Sequence, residues 1–302
     1  MKILFSADEH LCLRRKGVPK DWEINRFKLY HEKIAEIIKN NNIDVLIHGG
    51  DFFDREPTLE EASLAVSEHF NKLDVDTFVI DGNHEASKKG LTFLPILMKL
   101  VANERVKCVT KATNFENFDV LPYCELKKYE AGNVVLENKS KILITHVRGE
   151  IPPHVKPEVD LSIFDKWQLV LAGDLHDQSN SQRNIVYPGS PMTTHAYRGD
   201  NIKKGVIIVD SDTLKVEFID LNLPKLLRRT VASVSEAVQN GVDYIDYEIV
   251  MPELLQEYTE VTEVVVRTEK TRVDALSEVL SGNPLKEQVI NYYVDVIKTG
   301  SK

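Results

Sequence analysis

The stretch VLIHGGDFFD at 45–54 constrains the architecture more than any other part of the chain. Its leading apolar residues read as a buried strand, yet the run passes through His48 into two glycines and a carboxylate, Asp51. The same construction recurs along the chain. KILFSA at 2–7 leads to Asp8-Glu9-His10, and TFVID at 77–81 leads to Gly82-Asn83-His84-Glu85. KILIT at 141–145 leads to His146, and QLVLAG at 168–173 leads to Asp174-Leu175-His176. Each apolar strand delivers a metal-capable side chain just past its carboxyl end, the edge where open α/β sheets place their sites. In an extended segment residues i and i+2 face the same way, so Asp8 with His10, and Asp174 with His176, are expected to share a centre. Glycine lets the backbone turn sharply, which would carry the Asp51 carboxylate close to the metal.

Helices are expected between these strands. Phe27, Tyr30, Ile34, Ile37 and Ile38 fall at helical spacing within 22–40. Thr58 and Glu61 form a capping box for a helix running to about Leu73, with Leu59, Ala62, Val66 and Phe70 on one face. Residues 91–102 read as helix with Pro95 in the first turn. Beyond 106 strands dominate: VKCVT, FDVLPYC, NVVLE, KILITHV and QLVLAGD, then a hairpin over 205–221 turning at Ser211-Asp212. The order β-α-β-α-β followed by strand-rich segments predicts an α/β layered domain. NLPKLLRRT, near 222–230, marks a boundary. Past it the chain changes character, with short helices near 233–240 and 273–281 and a strand near 262–268. Leu285, Val289, Tyr292, Tyr293 and Val296 then line one helical stripe. The expected organisation is a main domain over 1–222, a small α+β capping domain over 223–283 and an amphipathic segment over 284–302.

Composition narrows the function. No apolar run reaches the ~18 residues that span a bilayer, and the apolar run at the N-terminus is too short for a secretory signal. Cys12, Cys108 and Cys124 are few and widely spaced, as expected in a reducing cytoplasm, and build no CxxC metal site. A net charge of −9 gives no bulk attraction to nucleic acid, so any DNA contact must come from local patches or bound cations. Arg14, Arg15 and Lys16, in the loop after the first metal motif, are the candidate DNA contacts. A solvated loop is the competing reading for them.

The ordered set DxH, GDxxD, GNHE, H and GDxH resembles the calcineurin-like metallophosphoesterase superfamily, over about residues 1–210. The resemblance implies two packed mixed sheets flanked by helices and two divalent ions bridged by Asp51. By it, the first ion takes Asp8, His10, Asp51 and His176. The second takes Asp51, Asn83, His146 and the residue at 174. His84 matches the family's mobile acid, which meets the substrate or leaving group and binds no metal. The implied reaction is hydrolysis of a phosphodiester without a side-chain nucleophile. One position departs: Asp174 stands where the family has histidine. It either binds the second ion or stands behind it, and as an oxygen donor it favours Mn2+ or Mg2+ over zinc.

The segment Tyr187-Pro188-Gly189-Ser190-Pro191 narrows the likeness to SbcD-type, meiotic-recombination (MRE)-type DNA nuclease subunits, including those of bacteriophages. That likeness implies DNA ends as substrate and a Rad50/SbcC-like ABC-type ATPase as partner. It leaves a homodimer open, and places a phage-encoded protein in the host cytoplasm. Two other readings stand beside it: a stand-alone phosphodiesterase for small substrates, and a non-catalytic scaffold on a phosphoesterase fold. The complete ligand set and His84 argue against the scaffold.

Overall fold

The computed structural model describes residues 1–86, 91–199 and 201–249. They belong to one unit, Met1–Ile249; the second, Val250–Lys302, lies outside the described residues. So do the strand expected near 262–268, the helix near 273–281 and the amphipathic segment at 284–302.

Strands β1 (Lys2–Ser6), β2 (Val45–His48), β3 (Asp76–Ile80) and β4 (Val106–Val109) pair in parallel. With the antiparallel hairpin β10 (Gly205–Asp210) and β11 (Val216–Asp220) they make a six-stranded sheet in the order β11-β10-β1-β2-β3-β4. A second sheet runs β5-β6-β7-β8-β9, from Thr113–Asn114, Asp119–Leu121, Ile142–His146, Leu169–Gly173 and Ile185–Val186. The alternation along each strand decides what lies between the sheets. Ile3, Phe5, Val45, Ile47, Ile207 and Val209 point inward against Ile142, Ile144, Leu169 and Leu171 of the facing sheet. Their neighbours Leu4, Leu46, Val206 and Ile208 point outward, under α1 (Lys20–Asn41) and α2 (Leu59–Glu68). On the far side Leu143, Val170 and Ala172 meet Leu126 of α4 (Tyr123–Glu130) and Trp167. The result is a mixed α/β fold in which two sheets form the middle and helices the outside, as expected.

Helix α1 buries Phe27, Tyr30, Ile34, Ile37 and Ile38, the predicted stripe. Helix α2 begins with the predicted capping box: Glu61 N donates to Thr58 Oγ1 at 3.2 Å and Thr58 N to Glu61 Oε2 at 2.7 Å. Leu59 is not on the buried face; it is 83% exposed. Helix α3 is confined to Leu94–Met98, shorter than expected.

Two strand expectations fail. FDVLPYC is a strand only to Leu121; Pro122 then caps α4. Proline cannot donate to a ladder but suits a helix start, so the apolar run changes type at that residue. NVVLE forms no strand, because β5 already occupies that edge of the second sheet, and of its valines Val135 is 82% exposed. The hairpin turn is longer than Ser211-Asp212, with Asp210 Oδ1 accepting from the amides of Asp212 and Thr213.

After β11 the chain forms β12 (Leu226–Val231), parallel to β13 (Tyr244–Ile249). This small sheet is fastened to the main body. Leu226 N donates to Thr193 Oγ1 at 2.7 Å, and Trp22 Nε1 of α1 donates to the Val242 carbonyl at 2.9 Å. The expected short helix near 233–240 is a single 3-10 turn, Val234–Glu236.

Candidate metal centre

The loops after β1, β2 and β3 and the ends of β7 and β8 converge on one rim. The first two loops run side by side: Asp8 N donates to Gly50 O at 3.0 Å and His10 N to Asp51 O at 3.0 Å. Glu85 ties in the third, its carboxylate accepting from the amides of Asp51, Gly82 and Phe53, each at 2.9 Å. Glycines in the second and third loops are required by how closely these backbones pass. A Cβ on Gly50, whose φ is +93°, would meet His146 Nδ1 at 2.6 Å, and one on Gly82 would meet Asp51 Oδ1 at 2.1 Å. Asp8, His10, Asp51 and Asp174 all have positive φ, at 60°, 46°, 56° and 103°. Asp8 and His10 therefore converge through a left-handed turn and not through the extended geometry expected from the sequence. Such conformations cost about 1–3 kcal/mol each and are held by the surrounding hydrogen bonds.

One imidazole of the centre is fixed in its tautomer by a backbone carbonyl. His146 Nδ1 lies 2.9 Å from the Gly49 carbonyl, which can only accept, so Nδ1 carries the proton and Nε2 offers its lone pair to the centre. His176 Nδ1 faces Thr194 Oγ1 at 3.2 Å, and His10 Nδ1 lies 3.5 Å from Asp54 Oδ1. Their Nε2 atoms are 3.0 Å apart, and lie 4.0 Å (His10) and 3.9 Å (His176) from Asp8 Oδ1. Asp51 Oδ2 is 3.7 Å from His10 Nε2 and 3.5 Å from His146 Nε2, and so stands between two groups of donors. On the second side Asn83 Oδ1 is 3.0 Å from His146 Nε2, and Asp174 Oδ1 is 3.9 Å from it. These are acceptors facing acceptors. A rotated Asn83 amide would donate to His146, Asp174 and Asp51; a cation would satisfy all of them with the amide unrotated.

Electrostatics agree with a cation. Burial pushes the Asp8 carboxyl well above its ordinary range; His146 opposes this, and Asp51 and Asp174 add to it. Burial opposes protonation of His146, but Asp51, Asp8 and Asp174 outweigh it and lift the imidazole to about 9. Divalent ions would reverse both effects by neutralising the carboxylates. The donor set therefore fits two hard or borderline ions. Asp8, His10, Asp51 and His176 could hold one. Asp51, Asn83, His146 and Asp174 could hold the other.

His84 stands at the mouth, its side chain 35% exposed. Its amide donates to Asp51 Oδ1 at 2.8 Å, and its ring packs edge-on against His10. Nδ1 donates to the Asp54 carbonyl, which leaves Nε2 3.9 Å from Asp51 Oδ2. Asp54 thus meets both His84, through its carbonyl, and His10, through its carboxylate at 3.5 Å. Its contact with His10 holds its carboxyl low, at about 2.

Comparison with known sequences decides the family. The pattern of the calcineurin-like phosphoesterases matches residues 1–178, more than half of the chain. The chain belongs to the calcineurin-like phosphoesterases. One relative, "Probable exonuclease subunit 1" of Escherichia phage T5, is 40% identical over 262 residues, covering 82% of this chain and 78% of that protein. The "DNA double-strand break repair protein Mre11" of Sulfolobus acidocaldarius is 22% identical over 250 residues, covering 74% of this chain and 64% of that one.

Several residues of this phosphoesterase have roles that sequence reasoning did not assign. Lys204 is buried, and its Nζ donates to the His176 carbonyl. Arg148 grips Asp174 with two hydrogen bonds, Nε to Oδ2 at 3.1 Å and Nη2 to Oδ1 at 3.2 Å. Of the candidate DNA contacts, Arg15 is spent on Glu23 Oε1 at 3.0 Å and on the Thr194 carbonyl. Arg14 pairs with Glu61 at 3.2 Å while remaining partly exposed, and Lys16 faces solvent.

Behind the centre runs a chain of histidines. His48 Nδ1 donates to Glu9 Oε1 at 2.8 Å. His48 and His69 meet through their Nε2 atoms at 3.0 Å, and His69 and His31 through their Nδ1 atoms at 3.0 Å. His69 is fully buried, and burial, with His48 and His31 adding, holds its pKa well below 6.5. A histidine depressed in the folded state makes the unfolded chain bind more protons below about pH 6.5, so stability falls as pH falls. The slope should approach about 1.4 kcal/mol per pH unit for this one group. Urea unfolding of metal-free protein at pH 7.0 and 5.5 should lose less stability in His69→Gln than in the parent. Equal losses would show that His69 is not the group responsible.

Proposed function

We propose that this phosphoesterase is a DNA nuclease, the hydrolytic subunit of a nuclease–ATPase assembly that processes DNA ends. The observation that carries the reading is the convergence of seven donors on one rim, with Asp51 shared between their two groups and His84 exposed at the mouth. The names of the phage and archaeal relatives, an exonuclease subunit and a break-repair protein, support a DNA substrate and a partner subunit.

Two divalent ions, when bound, supply Lewis-acid activation of water and positive charge for the phosphoryl oxygens. The oxygen-rich donor set, with three carboxylates and an amide, favours Mn2+, with Mg2+ as the other candidate. His146 is held by the Gly49 carbonyl on Nδ1, so its lone pair needs no reorganisation to receive an ion, and His10 and His176 bring their Nε2 atoms together at the centre. His84 presents Nε2 to the mouth and, when protonated there, can give a proton to the departing sugar oxygen. The Asp54 carbonyl fixes its ring for that transfer. Arg14 and Lys16 are the proposed DNA contacts beside the site; Arg15 serves to brace the loop that carries them. Contacts of this kind fix position on the phosphate backbone without reading sequence. The amphipathic segment 284–302, the candidate docking element for that ATPase, lies outside the described residues.

The test is digestion of an end-labelled linear duplex by the full chain in Mn2+, beside a small chromogenic phosphodiester. The reading expects chelator-sensitive release of nucleotides from the duplex. Hydrolysis of the small diester with the duplex left intact would overturn it in favour of a small-substrate phosphodiesterase.

A further inference from the structure

Arg148 and Asp174 occupy adjacent strand ends. Strand β7 ends at His146 and β8 at Gly173, and those two residues are paired in register. Arg148 is two residues past the first and Asp174 one past the second, so the sheet itself sets them side by side. The guanidinium meets both carboxylate oxygens in a two-point fork. The two ends of this pair differ in environment. Asp174 is 6% exposed and turned toward His146, whereas Arg148 is 44% exposed. The Arg148 backbone is also fixed, its amide donating to Glu158 Oε1 at 2.9 Å while Tyr123 Oη donates to Glu158 Oε2 at 3.1 Å.

The charge of the centre explains why such a pair should exist. Asp8, Asp51 and Asp174 are three buried carboxylates on one rim. With two dications they leave one net positive charge to meet a phosphodiester. A neutral donor at 174 would leave two. A guanidinium fixed on the outer side of Asp174 restores the second charge without displacing the carboxylate from the centre.

We propose that Arg148 is a positioning residue for the second centre, and that Arg148 and Asp174 together act as one neutral donor that keeps the charge facing the substrate. This rests on the two-ion reading above. It makes a prediction of opposite signs. Removing a cation beside a dication should leave Mn2+ binding as tight or tighter, while weakening the hold on an anionic substrate. A purely structural prop would lower both.

The experiment uses the full chain and three variants, with Mn2+ alone titrated by calorimetry and KM and kcat measured on the small chromogenic phosphodiester. Arg148→Gln should bind two Mn2+ at least as tightly as the parent and show a KM raised about tenfold, with kcat changed less. Arg148→Lys, which keeps the charge, should stay within about threefold of the parent KM. In Asp174→His, Arg148→Gln should cost no more than about twofold, because the charge that it balances is gone. Weaker Mn2+ binding in Arg148→Gln, an unchanged KM, or an equal cost in both backgrounds would each overturn the proposal. A parent that hydrolyses the small diester but no DNA would overturn the nuclease reading and leave this test standing.

Discussion

Asp51→Asn should lose cleavage by about three orders of magnitude or more and bind both ions weakly, because one carboxylate oxygen serves both groups of donors. Asp51 Oδ2 lies 3.7, 3.5 and 3.9 Å from the Nε2 atoms of His10, His146 and His84. An amide cannot supply the charge that two dications share. The fold should survive, since Asn keeps an oxygen to accept from the His84 amide, as Asp51 Oδ1 does at 2.8 Å. Calorimetric titration with Mn2+, duplex digestion and thermal unfolding check the three parts. Full activity with two tight ions would place the centre elsewhere.

His84→Ala should separate binding from chemistry. The imidazole makes contacts that orient it and supplies none of the donors assigned to either ion, so two Mn2+ should still bind with near-parent affinity. Cleavage should fall by about 10²–10⁴-fold, the usual range for a lost acid. A substrate whose leaving group needs no proton, such as a nitrophenyl ester, should be affected much less than DNA. Loss of an ion from His84→Ala would make His84 a ligand. An equal loss on both substrates would remove its role as the acid.

The layers and most of the rim were legible in the sequence because both depend on short-range rules. Short apolar runs marked the strands that build the two sheets, and the strand ends announced their donors. The misreadings came where tertiary context overrode local pattern. NVVLE has strand composition but finds β5 already at the sheet edge. FDVLPYC carries one apolar run across a proline that turns strand into helix. The left-handed backbones of Asp8, His10 and Asp51 carry no local signal, because contacts from other strand ends impose them. Arg148 in THVRGE sits at i+2 from His146, a spacing that could have drawn attention, but its partner Asp174 is twenty-six residues away. The burial of Lys204 and His69 carries no local signal either, because the groups that meet them, the His176 carbonyl and His48, are brought there by the fold alone.

The seven proposed donors are divided between the layers. Asp8, His10, Asp51 and Asn83 follow strands of the six-stranded sheet, while His146, Asp174 and His176 lie at the ends of strands of the other. The seam between the sheets is apolar, and apolar attraction is non-directional: it resists separation more than sliding. In the proposed assignment each ion takes donors from both sides of that seam, so the pair acts as a rivet that fixes the lateral register of the two layers. The converse also follows. Displacing reacting groups by about an ångström can cost a hundredfold in rate, so a partner that sheared one layer against the other would throttle the centre without touching it.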